Sequence, residues 1–193
     1  MRRTTCPQCR KKLGEGERIH EGCVSAWADT RAAKAERAKA KAIKTAAKED
    51  RAETKRRKES MKGKGDYLKE AQRAFNAFIR ERDRQAGHPC ISSGRPLDWS
   101  GNKTDAGHYR STGAAHHLRF NEDNCHAQSK HDNNFLAGNA VEYRIRLIDR
   151  IGLDRVEALE ADCSSPKWTI QDLIGIRDMY RAKLKELKKS ERY

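Results

Sequence analysis

Aromatic residues make up only 6% of this 193-residue chain and apolar residues of every kind 36%, so whatever core it forms is small. No apolar run approaches the length that spans a bilayer, and no apolar leader stretch is visible, so the expectation is a cytoplasmic protein with no membrane role. In that reducing compartment the six cysteines read as metal ligands or free thiols rather than disulfides. Acidic residues are also short, 28 against 42 lysines and arginines, and the resulting net charge of +14 points to a polyanion as partner.

Much of that charge lies between Ala28 and Lys64, a stretch built almost wholly of Ala, Lys, Arg and Glu, with Ile43 its one branched apolar residue before Met61. Such a segment cannot build a core. Its residues have the best helix propensity, and Glu36 with Lys39 and Glu53 with Arg57 stand about one turn apart with the acid first. A solvated single helix follows, stopped by Gly63 and Gly65. It lacks both the heptad seam of a coiled coil and the apolar face of a membrane-surface helix. Phosphates neutralised by its Lys and Arg would release counterions, giving a salt-sensitive grip on DNA without base readout.

Ahead of the arm, Cys6-Pro-Gln-Cys9 and His20-Glu-Gly-Cys23 offer four soft ligands in two tight pairs. Pro7, Gly14 and Gly16 supply the turns such a clamp needs, and tetrahedral Zn²⁺ fits the set. The segment has too little apolar material to fold alone, so metal binding would be its folding energy. A redox role for Cys6 and Cys9 is the lesser reading, since no βαβ pattern surrounds them.

The block from Asp105 to Asn139 gathers histidines, asparagines, acids and arginines. Hydrolysis of a phosphodiester around one hard cation needs a neutral imidazole, oxygen ligands and cationic side chains for phosphate. His108 is the candidate general base, through Nε2, and Gly107 allows close backbone approach. Asp105, expected to share its cleft, and Asn133 are candidate ligands for Mg²⁺ or Mn²⁺, with His126 as a further one. Asn124 is expected to hold the histidine-bearing loop in register. Arg110 and Arg119 bracket the turn Ser111 to Ala115, read as a hairpin-like loop, and are candidate phosphate clamps.

Flanking this block, Asp66 is a candidate cap for a helix carrying Tyr67, Leu68, Ala71, Phe75, Phe78 and Ile79 on one face, ended by Gly87, His88 and Pro89. Ala140 to Ile151 carries Val141, Ile145, Ile148 and Ile151 on one face, Gly152 ends it, and Asp154 is placed to cap a short helix with Val156 and Leu159. Thr169 and Asp172 form a capping box, with Trp168 expected to staple onto Leu173. The stripe Leu173, Ile176, Tyr180, Leu184 and Leu187 is core or a dimer surface.

The segments AFNAFIRERD, PCISSG, DAGHYRSTGAA, LRFNEDNCHAQ, LAGNAVEYR and KWTIQDL resemble the phage NinG (Rap) recombination endonuclease family over about Tyr67 to Lys188. The resemblance implies a His-Me finger (HNH) nuclease, a ββα unit with one catalytic metal, cutting Holliday junctions and D-loops in the host cytoplasm alongside a phage recombinase. His108 falls on the family's GHY histidine, Asn124 on the asparagine of its RF-x-x-x-N segment, and Asn133 where other HNH enzymes place a ligand histidine. The family also frames the unit with two Cys-x-x-Cys pairs, which here read Cys90 with Ser93 and Ser129 with Asp132. Three thiolates are replaced together, so no second structural zinc is expected there, and hydrogen bonds from Ser93, Ser129 and Asp132 are the expected substitute. A rescued site of Cys90, Cys125, His131 and Asp132 is the alternative; Cys125 and Cys163 otherwise read as buried thiols.

The sequence thus describes an α+β protein: a zinc-finger-like module over 1–27, a basic helical linker over 28–65, and over 66–193 a small ββα-metal (HNH) nuclease unit packed with flanking helices. The expected function is metal-dependent endonuclease on branched DNA. Two cuts resolve a junction, which makes a homodimer attractive. A catalytically inactive branched-DNA-binding adaptor is the competing reading, and an RNA-binding finger protein ranks last.

Overall fold

The computed structural model describes residues 3–135 and 138–191, in two compact units that divide between Met61 and Lys62. Leu136 and Ala137 of the LAGNAVEYR segment lie outside the described residues. Among those described, no helix is long and apolar enough to cross a membrane.

The first unit opens on a tight knuckle. Thr5 pairs with Lys12 as an isolated antiparallel bridge, the Cys6 amide donates to the Lys11 carbonyl (2.8 Å), and the Arg10 amide donates to the Cys6 carbonyl (2.9 Å). Closing the turn puts Arg10 at φ 61°, a left-handed position that most side chains avoid. A 3-10 turn at Glu21–Cys23 leads into α1 (Val24–Ser60), so the helix starts ahead of residue 28, where the sequence suggests a linker begins. α1 buries no side chain. Its order comes from Ala-rich propensity and from pairs such as Arg57 with Glu53 (2.5 Å).

The second unit begins with α2 (Lys64–Gln85), whose N-cap is Gly63. Asp66 acts from the third helical position, where its carboxylate accepts the Gly63 amide (3.0 Å), and Gly65 lies inside the first turn instead of ending the previous helix. The Ala71, Ala74, Phe75, Phe78 and Ile79 face is buried. Residues 86–103 run through turns to β1 (Thr104–His108), which pairs antiparallel with β2 (Cys125–Ser129) from Thr104↔Ser129 to His108↔Cys125. α3 (Lys130–Phe135) follows at once, giving the order strand, strand, helix. The strands are joined by residues 109–124, a long loop with a 3-10 turn at His116–Leu118 in place of a tight hairpin.

α4 (Ala140–Ile151), α5 (Leu153–Ala161) and α6 (Ile170–Ser190) complete the unit. α4 turns Tyr143 and Leu147 inward, leaving Val141 73% and Ile145 53% exposed, so its apolar face is rotated from the expected one. The aromatic ring of Tyr143 offers more apolar area to bury than either Val141 or Ile145. α5 is entered through Gly152 at φ 88°, with Asp154 in the first turn rather than at the cap. Thr169 and Asp172 close their capping box, but Trp168 packs on Phe120 (5.0 Å between ring centroids) and His116 (5.1 Å).

Two apolar clusters result. One joins α2 to the ribbon through Ala106 and Cys125 and to α6 through Ile176, Tyr180, Leu184 and Leu187, so the α6 stripe is core. The other gathers Ile91, Ala115, Leu118, Tyr143, Leu147, Val156 and Leu159.

Candidate functional site

In the first unit the ligand atoms of Cys6, Cys9, His20 and Cys23 all lie within 4.8 Å of one another. His20 Nε2 donates to the Lys12 carbonyl (3.1 Å), which leaves Nδ1 as the lone-pair nitrogen, 3.2 Å from Cys9 Sγ. A carbonyl behind a histidine is the usual support of a metal-bound imidazole. Desolvation works to raise the Cys6 thiol, but hydrogen bonds from the backbone of Cys9, His20 and Gln8 bring it down to about 6. Cys23 is raised to about 11 by desolvation and by the neighbouring Cys9 and Cys6 sulfurs, a crowding of negative charge that a dication relieves. The donor set therefore fits a metal such as zinc.

In the second unit His108 ends β1 on the face that meets α2, its ring centroid 6.0 Å from that of Phe75. Burial lowers its pKa, with the Arg119 charge acting the same way against a hydrogen bond donated to the Arg119 carbonyl. Nε2 meets the Arg119 carbonyl at 3.0 Å, and a carbonyl only accepts, so Nε2 carries a proton, while the lowered pKa disfavours a second one on Nδ1. The basic nitrogen is therefore Nδ1, not Nε2 as the sequence reading has it. Nδ1 stands 3.7 Å from Cys125 Sγ.

Strand alternation separates Asp105 from His108, since residues three apart point to opposite faces. The expected common cleft for the two side chains is not formed. Asp105 instead faces α3, where Asn133 Nδ2 donates to its carboxylate (3.2 Å). Its cross-strand partner Gln128 projects from the same face. Gln128 is fully buried, and its amide nitrogen donates to Ser92 Oγ and to the Gly138 carbonyl (2.7 Å), while Oε1 accepts nothing. Asp105 and Asn133 thus offer a carboxylate and an amide on this face, and Gln128 a buried oxygen without a partner, which are donor types a hard cation takes. Gly107 is required here, because a Cβ would fall inside the Gln128 amide. Sequence reasoning missed Gln128; its signal is the strand pairing, which only the register supplies.

Asn124 is fully buried and brackets the 109–124 loop: its Oδ1 accepts the Arg110 amide (2.8 Å), and its Nδ2 donates to the Arg110 (3.0 Å) and Leu118 (3.2 Å) carbonyls. The two arginines serve the same loop. Arg110 donates to the Leu159 (3.0 Å) and Glu160 (2.9 Å) carbonyls at the end of α5, where the helix dipole favours a cation. Arg119 donates to Gln72 Oε1 (3.1 Å) and the Thr112 carbonyl (3.2 Å), and its buried Nε has no partner. Neither guanidinium is presented as a phosphate fork.

His126 leaves the ligand set for a clear reason. It is 4% exposed, Nε2 donates to the Asp123 carbonyl (3.1 Å), and Nδ1 accepts from Arg82 (3.1 Å), so both nitrogens are used. Desolvation lowers its pKa to about 3, with Arg82 and Arg150 acting the same way and Asp83 against them.

Cys90, Ser93, Ser129 and Asp132, where the resemblance expects two cysteine pairs, are drawn together with Arg95. Cys90 Sγ donates to Asp132 Oδ2 (3.1 Å) and accepts the Ser129 amide (3.3 Å), Ser129 Oγ accepts the Asp132 amide (3.1 Å), and Arg95 reaches Asp132 Oδ1 at 3.3 Å. Burial opposes ionisation of Asp132, but the polar hydrogens of Ser93, Cys90 and Ser129 and the Arg95 charge hold it at about 2. Ser93 Oγ stands near enough to favour the carboxylate's charge without closing a full hydrogen bond to it. The alternative set with Cys125 and His131 is not gathered: among the described residues, the finger is the one cluster of three or more His, Cys, Asp or Glu placed to share an ion. Cys125 is buried against α2, and Cys163 is exposed rather than buried.

A family model described as Bacteriophage Lambda NinG protein matches residues 1–191. Protein ninG of Escherichia phage lambda is 46% identical over 136 residues, covering 69% of this chain and 63% of that protein. Protein ninG of Salmonella phage P22 is 45% identical and that of Escherichia phage 933W 44%, each over 136 residues covering 69% of this chain and 64% of the relative. The matched part of the chain thus spans a little under two thirds of these curated relatives. No solved structure matches it.

Proposed function

The chain belongs to the NinG family of bacteriophage proteins, and on that premise we propose that it is a metal-dependent endonuclease of the His-Me finger (HNH) kind, cutting branched DNA such as Holliday junctions and D-loops in phage recombination within the host cytoplasm. The observation that carries this reading is His108, an imidazole whose pKa burial lowers, its Nε2 proton committed to the Arg119 carbonyl and its Nδ1, beside the Cys125 thiol, the nitrogen that would have to turn to water, in a strand–loop–strand–helix unit. Such a nitrogen takes the proton of a water that attacks phosphorus in line with the departing 3′ oxygen. Asn124 and Arg110 hold the loop that supplies the Arg119 carbonyl, and so fix the imidazole's tautomer and aim. Asp105, Asn133 and Gln128 would hold the divalent ion, which supplies Lewis-acid stabilisation of phosphate charge when bound. The finger and α1 contribute a basic surface for the DNA backbone.

One observation favours a second reading, that of a branched-DNA-binding adaptor without catalysis: Asp105 and His108 project from opposite faces of the ribbon. Purified protein separates the two. Junction cutting in Mg²⁺ or Mn²⁺ that falls about 10² to 10⁴-fold in His108→Ala, with junction binding retained, supports the enzyme. Cutting that persists in His108→Ala removes the role of the imidazole, and binding without cutting in either ion supports the adaptor.

A further inference from the structure

Trp27 is the one Phe, Tyr or Trp before Tyr67, and it stands on a helix that buries nothing. Trp27 is only half-buried, so part of the indole stays open to solvent. Trp27, Arg31, Lys34, Ala35 and Ala38 recur on one face of α1, and with Arg3, Pro7 and Arg10 of the knuckle they line an open cleft of roughly 1060 Å³. No acidic side chain lines it. The Arg31 guanidinium lies over the Trp27 ring, 4.8 Å from its centroid, so the indole and guanidinium make a flat cationic platform.

We propose that this cleft binds a segment of single-stranded DNA, with a base stacked on the Trp27–Arg31 platform and neighbouring phosphates held by Arg3, Arg10 and Lys34. A platform of this kind is useful only to an unstacked base, because a duplex hides its base faces. Aromatic stacking beside a cationic track is how single strands are held without sequence preference. The alanines at positions 35 and 38 keep the floor low enough for a backbone to pass. The inference rests on the reading of the chain as a DNA-acting protein but not on cleavage, and it gives the finger a substrate feature of its own: the unpaired arm of a branched molecule.

The test is fluorescence anisotropy with the zinc-loaded full chain, against a short oligothymidylate, a duplex of the same length and an oligouridylate. Trp27→Ala is expected to weaken oligothymidylate binding about tenfold while duplex binding barely changes, and Trp27→Phe to recover most of the loss. Arg3→Ala and Lys34→Ala should each reduce the salt dependence for the single strand by about 0.7 in log–log slope. Zinc content reports whether the finger is intact; should Trp27→Ala lose it, the two charge variants carry the test. Single-strand binding indifferent to all these substitutions, an equal loss for duplex, or a preference for oligouridylate each overturns the proposal. Failure confined to the oligothymidylate leaves junction cutting standing, whereas no binding of any DNA removes the reading of the chain as a DNA enzyme as well.

Discussion

Among the described residues, the buried apolar side chains of the unit that ends at Met61 are Cys6 and Leu13, whereas the unit from Lys62 onward closes off Phe75, Ile79, Ile91, Tyr143, Leu147 and Leu173, each at 1% exposure or less. The two regions owe their order to different physics. In the second, apolar area removed from water offsets the entropy of ordering the chain. In the first, that source is nearly missing, and its place is taken by a cluster of ligands at one end and by backbone propensity along α1. Order bought from a ligand is conditional on the ligand; order from packing is not.

The widest test of this contrast is to load the finger with zinc and then remove it. Binding of zinc to sites of this kind supplies about 10–16 kcal/mol, so chelation or Cys9→Ser is expected to unfold residues 3–23 outright. Hydrogen exchange should show those amides unprotected while β1 and β2 stay protected, and a finger that remains protected without metal would break the comparison. Phe75→Ala should do the reverse. Its ring meets those of Tyr180 (4.9 Å), Phe120 (5.8 Å) and His108 (6.0 Å), and its loss should cost about 3–5 kcal/mol in the unfolding of the second unit with zinc content unchanged.

Acid separates the units more gently. The unfolded His126 takes up a proton near pH 6.5, but the folded form refuses it until about 3, because of burial beside Arg82 and Arg150. The stability contributed is complete above pH 6.5 and is lost as pH falls toward 3, by up to about 1.4 kcal/mol per unit. His108 and His88, lowered chiefly by burial, act in the same sense. Denaturant titration at steps from pH 7 to 4 measures it, and a flat profile would show that these imidazoles are hydrated. The smallest effect belongs to α1, where Glu53→Ala removes an exposed pair and should change stability by less than about 0.5 kcal/mol in thermal denaturation followed by circular dichroism.

The same division governs what the sequence reveals. α4 runs over Ala140–Ile151 as its periodicity and Gly152 imply, and the Thr169–Asp172 capping box is a local pattern that closes locally. The finger ligands are legible because their spacing is the site. The second unit hides its arrangement in contacts distant along the chain: Arg110 is spent on carbonyls near residue 160, His126 on Arg82, and Trp168 on Phe120. A motif identifies His108, but only the Arg119 carbonyl tells which nitrogen is basic, and only the strand register brings in Gln128 and sends Asp105 the other way.

A helix that buries no side chain has no tertiary barrier to local opening, and α1 is dense in Lys and Arg. Fraying there costs little more than the helix's own intrinsic free energy, so trypsin should find its sites in this arm long before it reaches those under the α2–α6 cluster. Limited digestion would then part the chain into a finger peptide with the Cys and His cluster and a resistant fragment, a division that withholding zinc would not delay.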